Sequence, residues 1–214
     1  MLNLTPAVLI SRLITLLIAF TVHEFAHAWT AYRFGDDTAA RAGRLTLNPI
    51  AHLDIIGTLM LIVGGFGWAK PVPVNPYYLQ RKSSAAMILV SLAGPVSNVL
   101  LAILAAIPFR LGLVQYAPSS STFFPSISDF LISFIIINIS LLLFNLIPIA
   151  PLDGEKVLYG LLPPAGADFM DRIRPYGPLL LLALIMVGRM GGLDLLGALM
   201  GPPLTALFRL LMGV

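Results

Sequence analysis

The residues with the clearest capacity for chemistry lie in one short stretch, His-Glu-Phe-Ala-His at 23–27, inside an otherwise apolar segment. On an α-helix, side chains at positions i and i+4 share a face, so His23 and His27 can bind one metal ion together. Glu24 lies about 100° further round the helix, close enough to take a proton from a water molecule at that metal. Alternatively, these residues only cap or polarise the helix. Two of the chain's three histidines have this spacing, which favours the metal site.

Two histidines leave a metal site incomplete, and the best candidate for a third ligand is Asp153. It lies in the sequence Asn-Leu-Ile-Pro-Ile-Ala-Pro-Leu-Asp-Gly at 145–154, where two prolines interrupt a long apolar helix. Such a break exposes backbone at membrane depth, which is tolerated only against protein or a water-filled cavity. Alone, Pro-Leu-Asp-Gly more often marks a turn that ends a helix. The chain has no cysteine, so nitrogen and oxygen must hold the metal, and we expect one Zn²⁺ per chain.

Two further polar residues are candidates for binding substrate or stabilising the transition state. His52, in Asn-Pro-Ile-Ala-His-Leu-Asp at 48–54, could approach the metal as a proton donor, a stabilising group or a fourth ligand. Equally, it could be bonded to Asp54 or to backbone. Asn98 ends the sequence Ala-Gly-Pro-Val-Ser-Asn at 93–98, and a buried amide in lipid needs a partner. We interpret Gly94 and Pro95 in that stretch as helix-packing residues.

The elements that must position these residues are membrane-spanning helices. Of the 214 residues, 58% are hydrophobic and only 11% charged, with a mean hydropathy of +0.92. Soluble domains average about 25% charged residues, which excludes a water-soluble fold. Apolar runs long enough to cross about 30 Å of hydrocarbon occur at 6–34, 84–109, 127–149 and 178–188 with its continuation. We therefore expect one domain, 1–214, of an all-α polytopic membrane protein with about five to six transmembrane helices, in the cell membrane if the source is prokaryotic.

Shorter elements complete the predicted architecture. The apolar segment 53–66 is short for a span and is typical of a re-entrant segment, whereas 41–49 and 69–76 could pair as a small β-sheet at the membrane edge. If 53–66 re-enters, one side of the membrane carries most of the basic residues: Arg33, Arg41, Arg44, Lys70, Arg81, Lys82, Lys156, Arg172 and Arg174. The opposite loop at 110–126 carries only Arg110. The positive-inside rule then places the N-terminus outside and explains the net charge of +3 without a nucleic-acid partner.

These motifs together resemble the site-2 protease family of intramembrane zinc metalloproteases, in its compact branch without PDZ or CBS domains. The match runs through His-Glu-x-x-His, Gly-Arg-Leu-Thr-Leu-Asn-Pro, Ala-Gly-Pro-x-x-Asn and Asn-x-x-Pro-x-x-Pro-Leu-Asp-Gly, in the family's order. The resemblance implies that His23, His27 and Asp153 bind zinc and that Glu24 activates water. It also implies that Asn145 lies near the scissile peptide, where it could hold substrate backbone or the oxyanion. The family's membrane-edge strands could accept an unwound substrate by β-augmentation.

We therefore expect hydrolysis of peptide bonds within or near the transmembrane segments of substrate proteins, with the lipid bilayer as the other partner. Two rival functions stay open. One is a metal-binding membrane transporter, although the internal repeat common in transporters is not evident. The other is an inactive protease-like scaffold, although a structural zinc site would not need Glu24. Whether the chain after residue 192 crosses the membrane is a further open alternative.

Overall fold

The computed structural model describes residues 5–64, 67–83, 85–119, 121–190 and 194–213, and it is mostly helical. The α-helices are α1 (Pro6–Arg33), α2 (Thr38–Arg41), α3 (Ile55–Gly64), α4 (Pro76–Lys82), α5 (Ala86–Arg110), α6 (Ile127–Asn145), α7 (Asp153–Leu161), α8 (Pro164–Ile173), α9 (Gly177–Met190) and α10 (Leu195–Met212). Short 3₁₀ turns occur at Pro49–Ala51 and Arg174–Tyr176.

Four of these helices, α1, α5, α6 and α10, are long and apolar enough to cross a membrane. The prediction of a helical, multi-pass membrane protein is confirmed. The count among the described residues is four rather than five to six, because α9, on the predicted run 178–188, has only 14 residues. At 1.5 Å per residue, it reaches about 21 Å, short of the hydrocarbon thickness. The segment after residue 192 does supply a candidate span, α10.

Hydrogen bonds at the helix ends define the direction of the four long helices. The Ala7 N–H donates to the Thr122 carbonyl at 3.1 Å, so α1 begins beside the start of α6. Arg110, at the end of α5, donates to the carbonyls of Leu210 and Leu211 at the end of α10. The four helices therefore alternate in direction. The basic residues between α1 and α5, and those that follow α6, consequently share the other side, here called the basic side.

Helix α1 packs against α5 and α6 through a seam of small residues. Every fourth residue from 7 to 31 is buried: Ala7, Ser11, Thr15, Ala19, His23, His27 and Ala31. Small side chains let helix backbones approach closely in lipid, where packing and hydrogen bonds drive association. The two histidines continue this seam, so they point at α5 rather than at lipid.

The chain before and after α3 lies side by side. Leu53 and Ala69 form an isolated antiparallel β-bridge, which brings both ends of the segment together with α3 between them. This geometry agrees with the predicted re-entrant segment. No β-sheet is found within the described ranges, and the bridge pairs Ala69 with Leu53, which lies outside the other predicted strand at 41–49. Prolines explain this, since Pro71, Pro73 and Pro76 remove backbone donors from 69–76.

Residues 67–75, here called the anchored segment, are instead held beside α1 by single contacts. The Lys70 N–H donates to the His52 carbonyl at 2.9 Å, and the Arg44 side chain donates to the Lys70 carbonyl. The Asn75 N–H donates to Asp36 Oδ2 at 2.6 Å, and Asp36 is fully buried. The segment therefore has a defined position without belonging to a sheet.

Candidate metal centre

His23, His27 and Asp153 come together at the junction of α1, α5 and α7. The Nε2 atoms of the two histidines are 3.0 Å apart, and each lies 3.2 Å from Asp153 Oδ2. All three residues are buried. Asp153 is the first residue of α7, which is held in place by an ion pair of 2.7 Å between buried Glu155 and Arg174. The structure thus places the three residues that the sequence singled out as one potential metal-binding group.

The far nitrogen of each imidazole is bonded to α5. His27 Nδ1 donates to the Val90 carbonyl at 2.7 Å, and His23 Nδ1 pairs with Asn98 Oδ1 at the same distance. A neutral imidazole with a proton on Nδ1 presents a free electron pair at Nε2, so both rings are oriented for metal binding. Residues 90 and 98 are two turns apart on α5, whereas the histidines are one turn apart on α1. The reach of the two imidazole rings makes up the difference.

A second amide determines which end of Asn98 faces His23. Asn98 Nδ2 donates to Asn138 Oδ1 at 2.9 Å, and Asn138 Nδ2 donates to the Phe134 carbonyl at 2.9 Å. A carbonyl only accepts, so it fixes the orientation of Asn138, which in turn fixes Asn98. Both asparagines are fully buried. This chain of bonds, here called the amide relay, runs from α6 through α5 to His23.

The donor atoms suit a zinc ion. Two imidazole electron pairs and one carboxylate oxygen converge on one point, and a cation there relieves their mutual repulsion. Ligand atoms at the Zn–N distance of 2.0–2.1 Å from a tetrahedral ion stand about 3.3 Å apart, close to the separations seen here. Asp153 supplies the carboxylate, the anionic member of this donor set.

Gly94 of α5 leaves the space at this point open. A Cβ at residue 94 would lie 2.4 Å from His27 Nε2 and 2.6 Å from His23 Nε2. Any side chain there would occupy the position on which the three donor atoms converge. The interpretation of Gly94 as a packing residue is thus incomplete, because the glycine also makes room for a metal ion.

The metal-binding group opens into a large groove that contains Glu24. The groove has a volume of about 1140 Å³ and follows α1 from Leu9 to His27, which is about 27 Å along the helix axis. Its other walls are parts of α5, α6, α9 and α10 together with the anchored segment. Glu24 Oε2 accepts a hydrogen bond of 2.9 Å from the Val72 N–H. The anchored segment therefore contacts the carboxylate that the sequence predicts to be the base.

The structure separates the other predicted site residues. Asn145 lines the groove at the end of α6, with Nδ2 donating to the Leu141 carbonyl at 2.9 Å. Asn98 is not part of the groove wall, and both ends of its amide are bonded within the relay. It therefore has no polar group to offer a substrate, and its position suits orientation of His23 instead.

His52 also lies apart from the groove wall. It is 1% exposed, and its Nε2 donates to the Thr46 carbonyl at 2.8 Å. Of the two alternatives raised from the sequence, this geometry favours a histidine bonded to backbone.

Sequence reasoning missed three residues at the site. Asn138 completes the amide relay, Val72 contacts Glu24, and Lys156 places Nζ 3.7 Å from Asp153 Oδ1. Asn138 was detectable, because an amide in the middle of the apolar run 127–149 needs a partner just as Asn98 does. No signal in the sequence distinguishes Val72, whose contribution is a backbone N–H.

Comparison with known proteins decides the family. The chain matches the model of Peptidase family M50 over residues 11–114 and 110–186. It belongs to peptidase family M50. YwhC of Bacillus subtilis, provisionally named a zinc metalloprotease, is 46% identical over 176 residues, which are 81% of this chain and 78% of YwhC. Rip2 of Mycolicibacterium smegmatis, with the same provisional name, is 33% identical over 179 residues; these are 79% of this chain and 64% of Rip2. No solved structure matches the chain significantly.

The M50 assignment confirms the site-2 protease family that the motifs indicated. Members of this family are integral-membrane zinc metalloproteases, in agreement with the four apolar helices and the group formed by His23, His27 and Asp153. The M50 match includes the segments that carry both histidines and Asp153, and the chain is a membrane protein with zinc as its cofactor.

Proposed function

We propose that this M50 protein is an intramembrane endopeptidase that cuts peptide bonds within or near the transmembrane segments of membrane proteins. The observation that carries the proposal is the position of Glu24, which lies in the wall of the groove beside His23, His27 and Asp153. A carboxylate at that place can exchange protons with a peptide in the groove. A groove that follows a membrane-spanning helix for about 27 Å suits a substrate of the same form.

In this proposal His23, His27 and Asp153 hold the zinc ion and Glu24 moves the protons. Zinc supplies Lewis acidity, polarising a peptide carbonyl and lowering the pKa of water. The Glu24 carboxylate accepts a proton from the attacking water and then donates it to the leaving amine. The Val72 N–H holds Oε2 of Glu24, which orients the carboxylate. The Asn145 amide, on the opposite wall, holds the substrate backbone or the developing oxyanion.

The anchored segment is the proposed platform for an unwound substrate. The N–H groups of Lys70 and Val72 are already bonded to His52 and Glu24. Pro71 and Pro73 have no N–H, so the free edge of the segment offers carbonyl acceptors there. A substrate strand that pairs by β-augmentation would therefore donate its own N–H groups to those carbonyls. Such pairing would add the substrate as a strand at the membrane edge, where the sequence predicted a small sheet.

The experiment compares the purified protein with Glu24→Gln on a model transmembrane substrate in liposomes, with bound zinc measured in both. We expect cleavage to be lost in the variant while about one zinc ion per chain is retained, because Glu24 is not a ligand. Asp168→Asn is the matched control, since Asp168 is an exposed acidic residue of α8 outside the groove. Equal cleavage by the wild type and Glu24→Gln would contradict the proposal.

The two rival functions predict different results in the same experiment. An inactive scaffold would bind zinc, leave every substrate intact and keep its cellular function in Glu24→Gln. A transporter would move metal across liposomes in a manner that depends on His23 and Asp153 but not on peptide cleavage. Neither rival needs a carboxylate in the groove wall beside the metal-binding group.

A further inference from the structure

Arg12 is a charged residue inside the first membrane-spanning helix. It lies 11 residues before His23 in α1, and both residues line the groove. Eleven residues turn a helix through about three turns and place two residues on the same face, about 16 Å apart along the axis. Arg12 therefore marks the end of the groove that is remote from the metal-binding group and from the basic side.

Among the described residues that line the groove, none near Arg12 is acidic. The α1 residues that line the groove around it are Leu9, Leu13 and Leu16, and the acidic residues of the groove wall, Glu24 and Asp153, both lie at the metal end. Within the described ranges, Arg12 has no ion pair and no side-chain hydrogen bond. A cation inside a transmembrane segment is costly, and such residues are commonly paired or line a substrate path. Arg12 lines the groove, but among the described residues it pairs with no acidic side chain.

We propose that Arg12 is a specificity-determining residue that pairs with a carboxylate in the substrate's transmembrane segment. This inference rests on the proposed protease function and adds a substrate class to it. The carboxylate comes from an acidic side chain of the substrate, or from its chain terminus. The distance of this carboxylate from the scissile bond follows from the separation of about 16 Å between Arg12 and His23 along the axis of α1. This is about 11 residues if the intervening substrate is helical and about five if it is fully extended. The preferred position therefore lies between these limits, on the side of the scissile bond away from the basic side.

Charge complementarity favours this occupant. The groove wall near Arg12 is apolar, which suits a transmembrane helix, and its single charge is positive. A guanidinium binds a carboxylate through two parallel hydrogen bonds, which gives geometric selectivity as well as attraction. A lipid phosphate offers similar chemistry at the membrane surface. It would not, however, discriminate between substrates or between positions along one substrate.

The test uses a single-span model substrate with an apolar segment and one aspartate moved through positions 3–13 from the scissile bond. Binding to Glu24→Gln protein and cleavage by the otherwise unchanged protein are both measured, each with Arg12 and with Arg12→Gln. We expect one or two adjacent aspartate positions to improve binding and kcat/KM about tenfold over the asparagine-containing substrate. Arg12→Gln should remove that preference. Arg209→Gln is the matched control, because Arg209 lies in another spanning helix and does not line the groove.

Charge reversal gives the sharpest result. Arg12→Asp should disfavour the aspartate substrate and favour one with lysine at the same position. A preference that ignores aspartate position, or that survives in Arg12→Gln, would overturn the proposal. A uniform loss for every substrate in Arg12→Gln that depends on anionic lipid would assign Arg12 to a lipid headgroup instead. Loss of cleavage in Glu24→Gln tests the protease function separately, and binding to that variant reports on Arg12 even if no substrate is cut.

Discussion

At the scale of single residues, groups on α5 that are not metal ligands orient the histidines of the metal-binding group. The Val90 carbonyl and Asn98 Oδ1 accept hydrogen bonds from the Nδ1–H groups of the two histidines, so both Nε2 atoms face inwards. Gly94, between them on the same face of α5, leaves open the point on which the donor atoms converge. Val90 and Asn98 are two turns apart on α5, with Gly94 midway, and they flank histidines that are one turn apart on α1.

Substitution of Gly94 tests this arrangement. Gly94→Ala places a methyl group within 3 Å of both Nε2 atoms, so we expect loss of stoichiometric zinc and of cleavage. Metal content of the purified protein measures the first effect. Gly201→Ala is a suitable control, since nothing described lies within 4 Å of a Cβ at that position of α10. Retention of one zinc ion per chain in Gly94→Ala would show that the site can move away from α5.

The amide relay gives a second prediction at this scale. Asn138→Leu removes the acceptor that fixes Asn98, so Asn98 can rotate and present its NH₂ group to His23. We expect zinc affinity to fall about 10- to 100-fold, the usual effect of losing an outer-sphere partner. Competition with a chelator of known affinity measures it. Asn138→Asp keeps an acceptor for Asn98 and should retain more affinity than leucine. Equal losses in the two variants would indicate a packing defect.

At the scale of elements, the anchored segment joins the re-entrant region to the base. It is bonded to Asp36 at one end and to His52 at the other, and Val72 contacts Glu24 between them. A short segment fixed at both ends can hold a carboxylate in one orientation. The residues that form this link come from α1, from the turn after it and from the chain after α3.

Val72→Pro removes the N–H that Glu24 accepts and leaves an already proline-rich segment extended. We expect kcat to fall roughly tenfold to a hundredfold, because small displacements of a catalytic group have effects of that size. Zinc content should not change. Val72→Ala keeps the N–H and is the control, so it should retain most of the activity. Equal activity of Val72→Pro and Val72→Ala would exclude a role for this contact.

Sequence patterns predicted some of these elements and not others. The His-Glu-x-x-His spacing and the proline-interrupted Pro-Leu-Asp-Gly turn identified the metal-binding group, because helix geometry and zinc chemistry restrict the possible partners. Hydropathy identified α1, α5 and α6, whereas within the described residues the predicted span at 178–188 is α9, whose 14 residues are too few to cross. The segment 69–76 is predicted as an edge strand that tolerates prolines, whereas its described contacts are isolated ones. Asn98 was noticed as an amide in need of a partner, but tertiary packing alone shows that its partners are His23 and Asn138.

At the scale of the whole molecule, the metal-binding group connects distant parts of the chain. His23 and His27 belong to α1, Asp153 begins α7, and α5 lies between them with Gly94. Zinc bound to all three ligands cross-links the first and last thirds of the helical assembly. Ligand binding to the folded state alone adds stability that grows with the ratio of free ligand to dissociation constant.

Removal of zinc should therefore destabilise the folded protein in detergent. We expect a strong chelator to lower the thermal midpoint by several degrees, because saturation at about 100 times the dissociation constant contributes about 2.7 kcal/mol. Readdition of zinc should restore the midpoint. Asp153→Asn should show a smaller response or none. An unchanged midpoint in the wild type, with loss of metal verified by elemental analysis, would argue against this cross-link.

The seam of small residues along α1 has a consequence for biogenesis. Translation delivers His23, Glu24 and His27 to the membrane long before Asn98, Asn138 and Asp153 have been synthesised. The four-residue periodicity that buries both histidines gives α1 a docking face from the start, but the third ligand and the amides arrive only with the later helices. The proposed site is complete only once α5, α6 and α7 have joined α1, so the proposed peptide hydrolysis requires the assembled helices.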